Sequence, residues 1–233
     1  FKEKLFMMKK VRNVFIAAFC FGFIAMSCQR VPLTNRKQFV GMVSSDQMMA
    51  LSFAQYDGFM DTSKIVSVKS KEGAMVARVG SRIKKAVEDY LIQNNYSDAI
   101  DGYQWEFSTV QSDELNAWCM PGGKVCFYTG ILPICGSEDG IAVVMGHEIA
   151  HAIAEHGRER ISRALIAQGV TQVGAIAAGV ITKNEQVMNT AGQVLGIGTQ
   201  LGGILPNSRK QESEADKLGL IFMAMAGYNP SEA

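Results

Sequence analysis

The residues best suited to chemistry are His147, Glu148 and His151, in the run Gly146-His147-Glu148-Ile149-Ala150-His151. On a helix, residues four apart lie nearly above one another, so the two imidazoles project side by side from one face. Two neutral imidazoles held in this way make half of a tetrahedral zinc site. Glu148, one position round the helix, can reach a water activated by the metal without ligating the metal. Alone the pattern is weak evidence, and it needs a helix and a third ligand. The helix is well signalled. Ser137 can cap it, Glu138 and Asp139 suit its positive end, and Ile141, Met145, Ile149 and Ile153 form an apolar stripe. The opposite stripe reads Val143, His147, Ala150, His151, Ala154, whose small members would let another helix come close.

The third histidine, His156, is a poor ligand candidate. It lies five residues after His151, and on a continuing helix it points away from His147, at about 100° per residue. It reads instead as a polar residue beside Arg158 and Arg160 near a helix end, where positive charge is favourable. A better third ligand lies downstream in Arg209-Lys210-Gln211-Glu212-Ser213-Glu214-Ala215-Asp216-Lys217-Leu218-Gly219. Glu212 and Asp216 share a helix face with Ala215 and Gly219. Glu212 would complete the metal's protein shell, and Asp216 would accept a hydrogen bond from the non-ligating nitrogen of a ligand histidine. Glu214, about 200° round that helix from Glu212, should face solvent. The competing reading is that all three acids solvate a surface helix among Arg209, Lys210 and Lys217.

Taken together, His147-Glu148-x-x-His151 and Ser208-Arg209-x-x-Glu212-x-x-Ala215-Asp216-x-x-Gly219 resemble the gluzincin metallopeptidases related to the CAAX prenyl protease and to HtpX. The resemblance is nearest to their periplasmic, BepA-like branch. Val31-Pro32-Leu33-Thr34-x-Arg36-Lys37-Gln38, Asn116-Ala117-Trp118-Cys119-Met120-Pro121-Gly122-Gly123 and Tyr128-Thr129-Gly130 fit the same branch. It implies one Zn2+ per chain, held by His147, His151 and Glu212, with Glu148 as general base. Members of that family usually continue past Asn229-Pro230, so the domain over residues 44–233 is expected to be truncated at its C-terminus.

At the other end, Lys9, Lys10 and Arg12 precede an apolar run from Val14 to Met26 and then Ser27-Cys28. A basic segment, a short apolar segment and a small residue before cysteine describe a secretory signal over residues 1–27, with Phe1 to Phe6 upstream of a start at Met7 or Met8. Cys28 is then the expected lipidation site, and residues 28–43 a linker. Together with the resemblance, this places the chain in a bacterial cell envelope, as an exported lipoprotein of the outer membrane facing the periplasm.

The chain beyond Cys28 is long enough for one domain with a real core. Charge is balanced, Lys+Arg 23 against Asp+Glu 22, so no footprint for nucleic acid is present. The fold class expected is α+β and zincin-like, mostly helical with a small antiparallel or mixed sheet. Residues 44–60 and 71–93 read as helices, the first capped by Ser45 or Asp46. Tyr103 to Val110 alternates as a strand. The Pro121-Gly122-Gly123 turn then leads into Lys124, Val125, Cys126 and Phe127, read as an edge strand bordering the cleft, where main-chain pairing could hold an extended peptide. A two-residue turn at Gly122-Gly123 would set Cys119 opposite Cys126, although free thiols are the favoured reading. Two Gly- and Ala-rich runs, 164–182 and 186–205, contain polar residues at intervals that suit packed helices better than a membrane hairpin.

The function expected is zinc-dependent hydrolysis of peptide bonds in unfolded or misassembled envelope proteins, outer-membrane proteins among them. The alternative is a binding or chaperone-like lipoprotein with little or conditional proteolysis. Tyr228 and Arg209 are candidates for stabilising the oxyanion.

Overall fold

The computed structural model describes residues 28–167 and 209–233. The expected signal segment 1–27 and most of the two Gly- and Ala-rich runs lie outside these residues. Among the described residues, no helix is long and apolar enough to cross a membrane.

The chain opens with a two-stranded antiparallel ribbon, β1 (Cys28–Arg30) and β2 (Lys37–Phe39). Helix α1 (Ser45–Thr62) comes next. Its cap is Ser44, one residue before the expected position, because Gln47 lies three residues on and completes a reciprocal capping box. Helix α2 (Lys71–Gln93) spans the range its periodicity predicts and buries Val76, Val79, Ile83, Val87 and Leu91.

Strands β3 (Glu106–Val110), β4 (Ala117–Met120) and β5 (Lys124–Tyr128) make a mixed sheet in the order β3-β5-β4. β5 runs parallel to β3 and antiparallel to β4. The expectation that Lys124–Phe127 forms the edge is therefore corrected: β5 is the central strand. All five of its residues are buried, because both of its faces are covered. Val125 and Phe127 join the main core, while Cys126 and Tyr128 pack with Phe59 and Trp118 on the other side. The Lys124 ammonium is held by Glu106 at 3.0 Å.

The register also settles the cysteines. Met120 pairs with Lys124, leaving a three-residue connection, Pro121-Gly122-Gly123, in which both glycines have positive φ. That one-residue difference sets Cys119 opposite Val125 and Trp118 opposite Cys126, so the two thiols are not cross-strand partners. Cys119, Cys126 and Cys135 are free.

After a short turn of helix, α3 (Leu132–Cys135), the chain enters α4 (Glu138–Ile153). Ser137 caps α4 by accepting from the Gly140 amide. The stripe Ile141, Met145, Ile149 and Ile153 is wholly buried. Helices α5 (His156–Ala167) and α6 (Arg209–Met225) complete the described core. α4 and α6 cross with backbones in contact. A Cβ on Gly219 would meet the His147 amide nitrogen at 2.7 Å, and one on Gly146 would meet the Gly219 carbonyl oxygen at 2.7 Å. This glycine pair is what allows the two helix faces to close on each other.

Candidate metal centre

The crossing of α4 and α6 brings distant parts of the chain together. His147, His151 and Glu212 each direct one ligand atom into a space where these atoms lie within 4.8 Å of one another. The His147 and His151 Nε2 atoms are 3.0 Å apart, and the Glu212 oxygens lie 3.4 Å from the first and 3.7 Å from the second. Ligands about 2.0–2.1 Å from a tetrahedral zinc stand roughly 3.3–3.4 Å from each other, so the spacing fits such an ion. The donor set fits as well, with two imidazole nitrogens and one carboxylate on facing helices. Burial pushes the His151 imidazole down from its ordinary range, against the opposing pull of Glu212, and this favours the neutral form a metal needs.

Glu148 stands next to this cluster. Burial, and then the charge of Glu212, push its carboxyl up to about 8, with Arg160 acting in the opposite sense. Asp216 receives the other nitrogen of His147: Oδ1 and Nδ1 are 2.9 Å apart. A carboxylate can only accept, so His147 Nδ1 carries a proton and Nε2 is the ring nitrogen turned to the cluster.

Two residues depart from the sequence reading. α4 does not continue through His156. It ends at Ile153, and Glu155 takes a left-handed conformation with φ 52°. That turn starts α5 at His156 and swings its side chain back against the site. His156 is fully buried, with its Nδ1 2.7 Å from His151 Nδ1. Glu214 does not face solvent either. It lies on the opposite side of α6 from Glu212, as its spacing predicts, but that side is covered by α5 and the N-terminal ribbon. Glu214 Oε2 is 2.9 Å from His156 Nε2 and accepts from Arg36 Nε at 2.5 Å, while Oε1 accepts from the Thr34 hydroxyl. Arg36 also reaches Glu159, which binds Gln211 and Arg163. Burial pushes the Glu214 carboxyl up, but its bonds to Thr34, His156 and Arg36 outweigh that and hold it below the ordinary range. Spacing could not reveal this network, although Thr34 and Arg36 belong to a segment whose motif stands out in the sequence.

The expected oxyanion candidates are not at the cluster's centre. Tyr228 is buried under the Arg82 guanidinium, 4.0 Å from its ring centroid, and the neighbouring Asn229 amide binds Asp139 in the first turn of α4. About two turns of helix separate Asp139 from His147, roughly 12 Å. Arg209 is exposed at the start of α6.

A model of peptidase family M48 matches residues 78–233. The chain belongs to peptidase family M48. It is 32% identical over 205 residues to the mitochondrial metalloendopeptidase OMA1 of Schizosaccharomyces pombe, covering 87% of this chain and 54% of that protein. Its identity to the OMA1 of Arabidopsis thaliana is 35% over 173 residues, covering 70% of this chain and 33% of that protein. The beta-barrel assembly-enhancing protease of Escherichia coli is 26% identical over 129 residues, covering 54% of this chain and 26% of that protein. The chain thus spans about half, or less, of the length of the curated relatives it matches. The expected nearness to the BepA-like branch is revised, since these two OMA1 proteins match more of the chain at higher identity. The placement as an exported bacterial envelope lipoprotein is overturned by the same finding, because the relatives that cover most of the chain are mitochondrial.

Proposed function

We propose that this chain is the catalytic part of a zinc-dependent endopeptidase acting on extended, unfolded polypeptide. The observation that carries the reading is the convergence of His147, His151 and Glu212 beside a second, half-buried acid, Glu148. A zinc ion held by those three residues would polarise the scissile carbonyl and acidify a water. Glu148 takes the proton of the attacking water and returns it to the leaving amine, and its raised affinity for protons suits both halves of that task. Asp216 keeps His147 turned with Nε2 inward.

Substrate pairing falls to β4 rather than to β5. One side of β4 is bonded to β5, and no strand pairs with its other side among the described residues. The opposite edge, β3, is partly capped, since the Val66 amide donates to the Thr109 carbonyl and the Gln111 amide to the Lys64 carbonyl. β4 packs beside α4, and the charge of Glu148 is felt at Cys119, in the middle of this strand. An extended peptide adding to β4 would lie along the acid and the metal ligands, read through its main chain.

The test is zinc content together with proteolysis of unfolded casein. Glu148→Gln should keep its zinc and lose cleavage by about 10²–10⁴-fold. Turnover equal to that of the unaltered protein would overturn the assignment of the base. His151→Ala and Glu212→Ala should lose the metal itself.

A further inference from the structure

We propose that His156 is a positioning residue for the metal centre, fixing His151 as the tautomer that presents Nε2, and that Thr34 and Arg36 hold it in place through Glu214. The inference rests on the reading of His151 as a metal ligand, and it gives the segment around Arg36 a part in the site.

Donors and acceptors decide the tautomer. Glu214 receives the Thr34 hydroxyl and the Arg36 guanidinium, so it accepts, and it accepts from His156 Nε2 as well. His156 therefore spends its proton on Nε2. A neutral imidazole carries only one N–H, which leaves the His156 Nδ1 with a lone pair. The atom facing that lone pair, at 2.7 Å, is His151 Nδ1. With a cation on its Nε2, which lies 3.0 Å from the His147 Nε2 and 3.7 Å from Glu212, His151 carries its proton on Nδ1 and donates it to that lone pair.

The alternative is an imidazolium at His156 donating in both directions, which would put the His151 proton on Nε2 and close it to a metal. Charge balance opposes that. The buried acids Glu214 and Glu159 are already matched by Arg36 and Arg163. A further positive charge on this fully buried ring would have only Glu214, already shared with Arg36, as its counter-charge. The two ligand histidines thus reach the same tautomer by different means, His147 through Asp216 directly and His151 through a second imidazole.

The experiment has two readouts. In the zinc-loaded protein, ring 15N spectra should show His151 protonated at Nδ1 and His156 protonated at Nε2 alone. Zinc affinity, from competition with a chromophoric chelator, should fall about 10–100-fold in His156→Phe, which fills the space but accepts nothing. His156→Gln, whose amide accepts at one end and donates at the other, should bind within about threefold of the original protein if hydrogen bonding rather than shape is what matters. Melting of each metal-free variant separates a folding defect from a metal defect. An unaltered protein that takes up no zinc would overturn the ligand reading, and this inference with it. A protein that binds zinc but carries the His151 proton on Nε2, or a His156→Phe variant with undiminished affinity, would overturn this inference alone.

Discussion

The two sides of the candidate metal centre are built differently. On one side, His147 is backed by a single carboxylate, Asp216, whose side chain is 66% exposed. On the other, His151 is backed by a ring that is itself fully buried and tied to Glu214, Arg36 and Glu159. Both arrangements turn an Nε2 atom inward. They differ in what else depends on them. Asp216 lies in water and serves one hydrogen bond, whereas Glu214 joins α5, α6 and the N-terminal segment. A change on the exposed side should therefore touch metal binding alone, and one on the buried side should touch metal binding and folding together.

The largest expected effect comes from removing the buried acid. Glu214→Ala leaves Arg36 without one of its two carboxylates and His156 without an acceptor, and should cost about 3–5 kcal/mol of stability. Urea denaturation of the metal-free protein measures it, and a loss below about 1 kcal/mol would erase the contrast between the two sides. Next comes the crossing that both sides share. Gly219→Ala puts a methyl against the His147 backbone and should cost about 1–3 kcal/mol while separating Glu212 from the histidines. Zinc uptake should fall with it, and retention of full affinity would show that α6 can withdraw without opening the cluster.

The pH dependence of the metal-free protein is a smaller test. Folded Glu148 holds its proton up to about 8, against 4.5 for an ordinary glutamate. Between those values the folded state binds more protons than the unfolded chain, so this group's contribution falls as pH rises through the window. Glu148→Gln removes that dependence. It should gain about 2 kcal/mol over the original protein on going from pH 5 to pH 8, once partial exposure discounts the shift. Parallel melts with chelator present would show it, and a constant gap between the two proteins would contradict it. The smallest stability effect belongs to Asp216→Ala, below about 1 kcal/mol, with zinc affinity reduced about 10–100-fold. A large loss of stability here would mean that the exposed side, too, carries the fold.

Much of the site is legible in the linear chain, because short-range geometry decides it. Four-residue spacing on a helix places His147 beside His151, and Glu212 beside Asp216, whatever lies around them. Capping by Ser137 and the apolar stripe of α4 are local in the same sense. The two helices do meet, through Gly219 and through Gly146, which lies beside the stripe read from the sequence rather than in it.

The chain alone misleads where the answer depends on what covers a residue. Lys124–Tyr128 has the composition of a strand, but its place at the centre of the sheet is set by β3 pairing along its other side. The relation of Cys119 to Cys126 turns on a single residue of turn length, which moves a side chain to the other face. Glu214 points where its helical angle puts it, yet that direction is occupied by Thr34, Arg36 and His156 rather than by water.

By itself, then, the sequence determined the helices, the side-chain pairs they display and the acid that accompanies them, since each of these is written within one or two helical turns. Only the tertiary structure decided which strand is an edge, which way the chain turns after Ile153, and which charges share the space behind His151. Those outcomes depend on contacts between separate segments, 180 residues apart in the case of Thr34 and Glu214. No local pattern records which surface a side chain will meet.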